Sequence, residues 1–138
     1  MEKIKWYSSE IEPEFEIFGL PEYKTERELE HEIMGLLIKL KILPVKIPNE
    51  STYKHFGGYI LHGIPDLIII LPTGRIFWVE LKRKGGILSD YQKIAHKILA
   101  AKKQTVYIVH SLAEICDVLV YEGFLLEISS RRFKLKEN

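Results

Sequence analysis

The chain has 138 residues, one cysteine and a formal net charge of +1, which predicts one domain that is large enough to fold without disulfide bonds. Cys116 has no cysteine or histidine at zinc-ligand spacing, so a disulfide framework and a zinc module are both excluded. No apolar run reaches the roughly 18 residues that a membrane helix needs, and no signal-peptide pattern is present, so we expect a soluble cytoplasmic protein that is not secreted.

The N-terminal segment is acidic and the rest of the chain is basic. Residues 1–32 hold ten glutamates and four basic residues, a net charge of −6, while residues 33–138 hold 16 basic and nine acidic residues, a net charge of +7. A basic body attracts polyanions such as nucleic acid, although a surplus of this size is also common on a solvated surface. We treat residues 1–24 as an acidic arm that either completes the fold or covers the basic body, and residues 25–138 as the folded domain.

The first predicted elements are a helix and a β-hairpin. Thr25 and Glu28 have the spacing of a capping box, which predicts a helix over about residues 26–41. The stretch FGGYILHG, ending at Gly63, has the composition of a short strand. The runs IPDLIIIL and RIFWVELK flank the sequence PTG, which predicts a hairpin with its loop at 72–74 and with Gly74 in a left-handed conformation.

Two further helices and another hairpin complete the predicted order. Ser89 and Gln92 open the second helix with a capping-box spacing. Its predicted buried stripe is apolar at helical intervals and comprises Tyr91, Ile94, Ala95, Ile98 and Leu99. A strand at QTVYIVH, a helix that begins after Ser111 and a hairpin that turns near Ser129 and Ser130 follow. The order predicts a mixed α/β domain.

Charged residues gather at one end of the first hairpin. A loop at 72–74 pairs positions whose numbers sum to 146, so Asp66 lies across from Glu80, with Cβ atoms about 5 Å apart. Lys82 projects from the same face as Glu80 because side chains alternate along a strand. Carboxylates forced together repel unless a proton or a cation lies between them, and Mg²⁺ and Mn²⁺ prefer such oxygen ligands. The alternative is an ordinary salt pair of Glu80 and Lys82 beside an exposed Asp66.

These residues resemble a known nuclease signature. The order Pro65, Asp66, hairpin, Glu80, Lys82 is similar to the PD-(D/E)XK motif of metal-dependent nucleases. A helix that opens with Glu, the G-x-P-D stretch, the Gly-Gly turn, a downstream Gln and a final strand-helix unit over residues 26–120 narrow the resemblance to the virus-type replication-repair nuclease (VRR-NUC) domain. The resemblance implies a restriction-endonuclease-like α/β fold with a mixed central sheet flanked by helices.

The resemblance also implies roles for the matching positions. Asp66, Glu80 and the carbonyl of Leu81 would bind Mg²⁺ or Mn²⁺, and Lys82 would assist the attacking water. The glutamate of the first helix maps to Glu26 in preference to Glu30, which stands where the family has Gln, and it would complete the metal site, directly or through water.

Gln92 and the basic residues around it carry the remaining roles. Gln92 either lies beside the active site, as in the family, or completes the helix cap, or does both. Arg83, Lys84, Lys93 and Lys97 are candidate DNA contacts, for which a solvated surface is the alternative.

The implied function is a DNA endonuclease of DNA repair that cuts branched substrates such as four-way (Holliday) junctions as a homodimer. The alternatives are a DNA-binding module of the same fold that does not cut or needs a partner, and a restriction-type endonuclease. The short chain leaves little room for the base-reading loops of a restriction enzyme.

Overall fold

The computed structural model describes residues 14–18, 23–48 and 62–136. Its larger sheet has four strands in the order β2-β3-β4-β5, which are Leu43–Lys46, Leu67–Ile70, Ile76–Leu81 and Val106–Val109. β3 pairs antiparallel with β2 and β4, whereas β5 is parallel to β4. A parallel neighbour requires a crossover, and the chain between β4 and β5 supplies one through a helix. The sheet is therefore mixed, as predicted.

Three helices flank this sheet within the described residues. They are α1 (Glu26–Lys39), α2 (Asp90–Ala101) and α3 (Leu112–Tyr121). α1 begins where predicted, because the Thr25 hydroxyl accepts a hydrogen bond from the backbone N–H of Glu28 at 3.1 Å. No helix in the described part of the chain is long and apolar enough to cross a membrane.

A second, three-stranded sheet has the order β1-β7-β6, where β1 is Glu14–Glu16, β6 is Leu125–Ser129 and β7 is Arg132–Leu135. The final hairpin turns at Ser130 and Arg131, one residue later than predicted. β1 was not predicted, and it is held partly by the stacking of Phe15 on Phe133, with ring centroids 5.8 Å apart. Part of the acidic segment thus completes the fold as a strand.

The register of the first hairpin agrees with the sequence prediction. Leu67 pairs with Val79 and Ile70 with Ile76, so the paired numbers sum to 146. Gly74 has a φ of +90° in the loop between the strands. The preceding strand β2 was missed because it contains Pro44, which lacks an N–H; β2 is an edge strand of the described sheet, where proline is tolerated. The strand predicted before Gly63 lies largely outside the described residues, and His62 and Gly63 form a turn.

The two faces of the larger sheet have different environments. Alternate residues of β3 and β4 are fully buried in one apolar core with α1 and α3, among them Leu67, Ile69, Phe77 and Val79. Glu80 belongs to the opposite face, because successive side chains of a strand point to opposite sides. α2 covers that face.

The predicted buried stripe of α2 is wrong in part. Ala95 and Leu99 are buried, but Tyr91, Ile94 and Ile98 are 64%, 55% and 40% exposed. Each residue advances about 100° around a helix, so the buried centre is rotated from the apolar stripe toward the side that carries Gln92 and His96. The helix thus turns His96 toward the sheet and leaves three apolar side chains in solvent.

Candidate active site

The candidate site begins where the β3–β4 pairing ends. The last paired residues are Leu67 and Val79, and beyond them the Asp66 carboxylate accepts a hydrogen bond of 2.7 Å from the backbone N–H of Leu81. The Asp66 side chain therefore takes the place of a backbone carbonyl and extends the pairing of the two strands. This contact fixes Asp66 beside Glu80, as the hairpin arithmetic predicts.

The carboxylate of Glu80 is fully buried. Its side chain is 0% exposed, and neither of its carboxylate oxygens has a hydrogen-bond partner among the described residues. Burial raises the pKa of Glu80 to about 9, the neighbouring Asp66 carboxylate raises it as well, and Lys82 opposes both. A buried carboxylate of this kind costs free energy unless a proton or a cation neutralises it.

Lys82 connects the end of β4 to the start of α1. Its backbone N–H donates to the carbonyl of Val109, which fixes the residue next to the sheet. Its ammonium lies 3.8 Å from a carboxylate oxygen of Glu26. Glu30 is bound elsewhere, because one of its oxygens lies 3.0 Å from the ammonium of Lys46. The structure thus brings Glu26, and not Glu30, to Lys82.

α2 uses Gln92 in its N-terminal cap and brings His96 close to Glu80. Ser89 and Gln92 form the predicted capping box: the Ser89 hydroxyl accepts from the N–H of Gln92, and the Gln92 side-chain oxygen accepts from the N–H of Ser89. One turn later, Nε2 of His96 lies 3.5 Å from a Glu80 oxygen and has no hydrogen-bond partner among the described residues. Burial lowers the pKa of His96. His96 was not predicted from the sequence, although its spacing of four from Gln92 puts both on one helix face.

Gly63 allows α2 to approach the segment that carries Asp66. A Cβ atom at position 63 would lie 2.3 Å from the backbone carbonyl of Tyr91 and 2.5 Å from the N–H nitrogen of Gln92. Gly63 also has a φ of +83°, which favours glycine. The His62 and Tyr91 rings contact each other at the same place, with centroids 5.2 Å apart. The glycine of the G-x-P-D stretch is therefore needed for helix packing as well as for the turn.

The predicted DNA contacts lie on the loop after β4 and on α2. Arg83 donates a hydrogen bond of 2.9 Å to the backbone carbonyl of Lys24, so its guanidinium also joins this loop to the segment before α1. Lys84, Lys93 and Lys97 are exposed. Lys93 and Lys97 are four residues apart and share one face of the helix.

The side chains present fit a divalent cation in one respect and not in another. No three aspartate, glutamate, histidine or cysteine side chains in the described part of the chain converge closely enough to form a metal site. The two oxygens of Glu80 are buried and accept no hydrogen bond within residues 14–18, 23–48 and 62–136. They are nevertheless the hard anionic ligands that Mg²⁺ and Mn²⁺ prefer, and a cation would offset the cost of burying them. Of the predicted ligands, Asp66, Glu80 and Leu81 are adjacent, whereas Glu26 contacts Lys82.

A solved structure resembles this mixed sheet with its flanking helices. The fold is consistent with that of the PD-(D/E)XK class, which confirms the predicted fold class. A solved structure described as a VRR_NUC domain has 25% sequence identity and a TM-score of 0.54, and the match covers 70% of this chain and 94% of that one. No protein-family model and no curated protein matches the chain. The structural match supports a VRR-NUC domain here, as the motif order predicts.

Proposed function

We propose that this protein is a metal-dependent endonuclease that hydrolyses phosphodiester bonds of DNA. The observation that carries the proposal is the buried carboxylate of Glu80, whose two oxygens accept no hydrogen bond from the residues that the structure describes, next to Asp66 at the end of the hairpin. The likeness to a VRR_NUC domain supports the same activity. A purely structural carboxylate would be expected to find hydrogen bonds.

Asp66, Glu80 and the carbonyl of Leu81 are the groups that would hold the cation. When bound, Mg²⁺ or Mn²⁺ supplies positive charge that polarises the phosphate and acidifies water. Asp66 can bind the cation through one carboxylate oxygen while the other oxygen keeps the hydrogen bond from the backbone N–H of Leu81. The rigid ends of β3 and β4 hold these ligand groups in place, so they move little when the cation binds.

Lys82 and Glu26 lie on the side of the site from which water can enter. The Lys82 side chain is 12% exposed, so its ammonium is largely shielded from solvent and can stabilise negative charge that develops on a phosphate. Glu26 holds that ammonium in place at 3.8 Å and is itself half exposed, where a water could reach it. In Gln92 the side-chain oxygen serves the helix cap, which leaves its amide nitrogen to contact a substrate.

The DNA backbone would follow the exposed lysines beside the site. Lys84 on the loop and Lys93 and Lys97 on α2 offer ammonium groups to phosphates, which give affinity without reading sequence. We therefore propose recognition of DNA shape, with branched DNA such as a four-way junction as the substrate.

We also propose that the protein acts as a homodimer, because a four-way junction has two symmetric strands to cut. The exposed apolar residues of α2, Tyr91, Ile94 and Ile98, give a surface that a second copy could cover. This surface lies on the same helix as Gln92 and His96, so pairing through it would bring two sites near each other.

A DNA-binding module that does not cut alone is the second candidate. It is favoured by the lack, within the described residues, of three converging metal-binding side chains. Calorimetry distinguishes the two candidates: the endonuclease should bind Mn²⁺, with or without DNA, and the module should not.

The defining experiment is a cleavage assay on labelled four-way junction, flap, linear duplex and single-stranded DNA, with Mg²⁺ or Mn²⁺ and with EDTA. We expect metal-dependent cutting of the four-way junction in preference to the linear duplex, with symmetric nicks. Retained binding of all substrates without any cutting would contradict the proposal and favour the module.

A further inference from the structure

His96 has no role in the proposed set of metal ligands, yet its side chain on α2 comes close to Glu80. Its Nε2 lies 3.5 Å from Oε1 of Glu80, which is beyond hydrogen-bonding distance. Both atoms are buried and neither has a hydrogen-bond partner in the described part of the chain. Two buried polar atoms that face each other across such a gap need a third group between or beside them.

The separation of these two atoms fits joint binding of one ion. Two ligand atoms at about 2.1 Å from the same ion lie about 3.0 Å apart at a right angle and about 3.4 Å apart at the tetrahedral angle. The observed 3.5 Å is close to the upper of these values. A proton shared directly between the two atoms would need a separation of about 3 Å or less.

The orientation of α2 also favours this arrangement. The helix buries Ala95 and Leu99 and exposes Ile94 and Ile98, so it is turned with His96, and not the two isoleucines, facing the sheet. The capping box at Ser89 fixes the start of the helix, about two turns before His96. A structural helix would be expected to bury the isoleucines.

We infer that Nε2 of His96 is a ligand of the catalytic cation, together with Glu80, and that it makes the site select Mn²⁺ over Mg²⁺. Imidazole nitrogen is a good ligand for the borderline transition-metal ions and a poor one for Mg²⁺, which takes oxygen almost exclusively. This inference rests on the proposed metal-dependent function, and it adds a ligand and a metal preference to it.

The test is the affinity of the metal-free full-length protein for Mn²⁺ and for Mg²⁺, measured by calorimetry without DNA. His96→Gln keeps the size and polarity of the side chain but replaces the imidazole. We expect it to weaken Mn²⁺ binding at least tenfold and Mg²⁺ binding less than twofold. The matched control is His31→Gln, at an exposed position on α1, which should change neither affinity.

A spectroscopic measurement makes the test independent of how well the variant folds. Pulsed electron paramagnetic resonance of the Mn²⁺-loaded wild type should show coupling to a directly bound ¹⁴N nucleus. The coupling should persist in His62→Gln and disappear in His96→Gln. Its absence from the wild type would overturn the inference.

Two calorimetric outcomes would also overturn it. Equal weakening of both metals by His96→Gln would show that His96 only positions Glu80, and unchanged affinities would show that it has no part in binding. In either case Glu80→Gln should still abolish the binding of both metals, which would leave the proposed nuclease standing. A wild type that binds neither metal, with or without DNA, would overturn both proposals.

Discussion

The Asp66 carboxylate accepts a 2.7 Å hydrogen bond from the backbone N–H of Leu81, the residue between Glu80 and Lys82. One side chain thus serves both the fold and the site, since it continues the strand pairing and stands beside the buried glutamate. Asn at this position could still accept the bond, whereas Ala could not.

These two substitutions should therefore separate stability from activity. We expect Asp66→Ala to lower the free energy of unfolding by about 1–3 kcal/mol, the cost of leaving a buried N–H without an acceptor. Asp66→Asn should stay within about 1 kcal/mol of wild type, because its carbonyl oxygen replaces the acceptor. Both should abolish metal-dependent cleavage. Urea unfolding and the cleavage assay give the two readouts, and an Asn variant as unstable as the Ala variant would contradict this account.

Gly63 and Gly74 form a matched pair for testing how α2 packs. Both have a positive φ, +83° and +90°, but a Cβ at Gly63 would collide with the backbone of α2, whereas a Cβ at Gly74 meets nothing within 4 Å. Gly74→Ala should cost about 1–2 kcal/mol from backbone strain alone. Gly63→Ala should cost about 3 kcal/mol or more, because overpacking is added. Urea titrations that gave the same loss for both would exclude close packing of α2 at Gly63.

Glu80 should make the metal-free protein less stable as the pH rises. Burial raises the pKa of Glu80 from 4.5 to about 9, so the folded state holds this proton more tightly than the unfolded state does. The stabilisation is complete below pH 4.5 and is lost as the pH rises toward about 9. Between roughly pH 7 and 8.5 the melting temperature of wild type in EDTA should fall more steeply than that of Glu80→Gln.

Thermal melts of the two proteins across that range check the prediction. Equal slopes would mean that Glu80 already carries its charge in the metal-free protein. Added Mn²⁺ should flatten the wild-type slope, since a cation replaces the proton.

Exposed isoleucines on α1 and α2 offer a matched test of the proposed dimer. Ile94 on α2 is 55% exposed and Ile38 on α1 is 60% exposed. Ile94→Glu places a charge on the surface proposed to contact the second copy, whereas Ile38→Glu adds the same charge elsewhere. Sedimentation velocity should show a dimer for wild type and Ile38→Glu and a monomer for Ile94→Glu. A wild-type monomer, or an Ile94→Glu dimer, would exclude this interface.

The local signals in the sequence were sufficient for the elements that lie near the site. The capping spacing of Ser89 and Gln92 and the turn residues around Gly74 act within a few positions, so they predicted the start of α2 and the register that brings Asp66 to Glu80. The predictions from composition failed where contacts between residues distant in sequence determine the structure. Pro44 concealed an edge strand whose partner is 25 residues away, at Ile69.

The orientation of α2 is the clearest case of a feature that the sequence did not reveal. Its apolar residues predicted one buried face, but the helix is turned so that His96 faces Glu80 and Ile94 faces solvent. Periodicity records which residues are apolar, not which neighbour or ligand a face must meet. The same limit hid the role of Gly63, because its close neighbour on α2 is nearly 30 residues away in sequence.

The most direct test of the central claim is the single-turnover cleavage of a labelled four-way junction by wild type and by Glu80→Gln, with DNA binding measured in parallel. The account predicts that wild type cuts with Mn²⁺ or Mg²⁺ and not with EDTA, and that Glu80→Gln binds the junction as tightly but does not cut it. Cleavage by Glu80→Gln at the wild-type rate would contradict the assignment of the active site to this buried carboxylate.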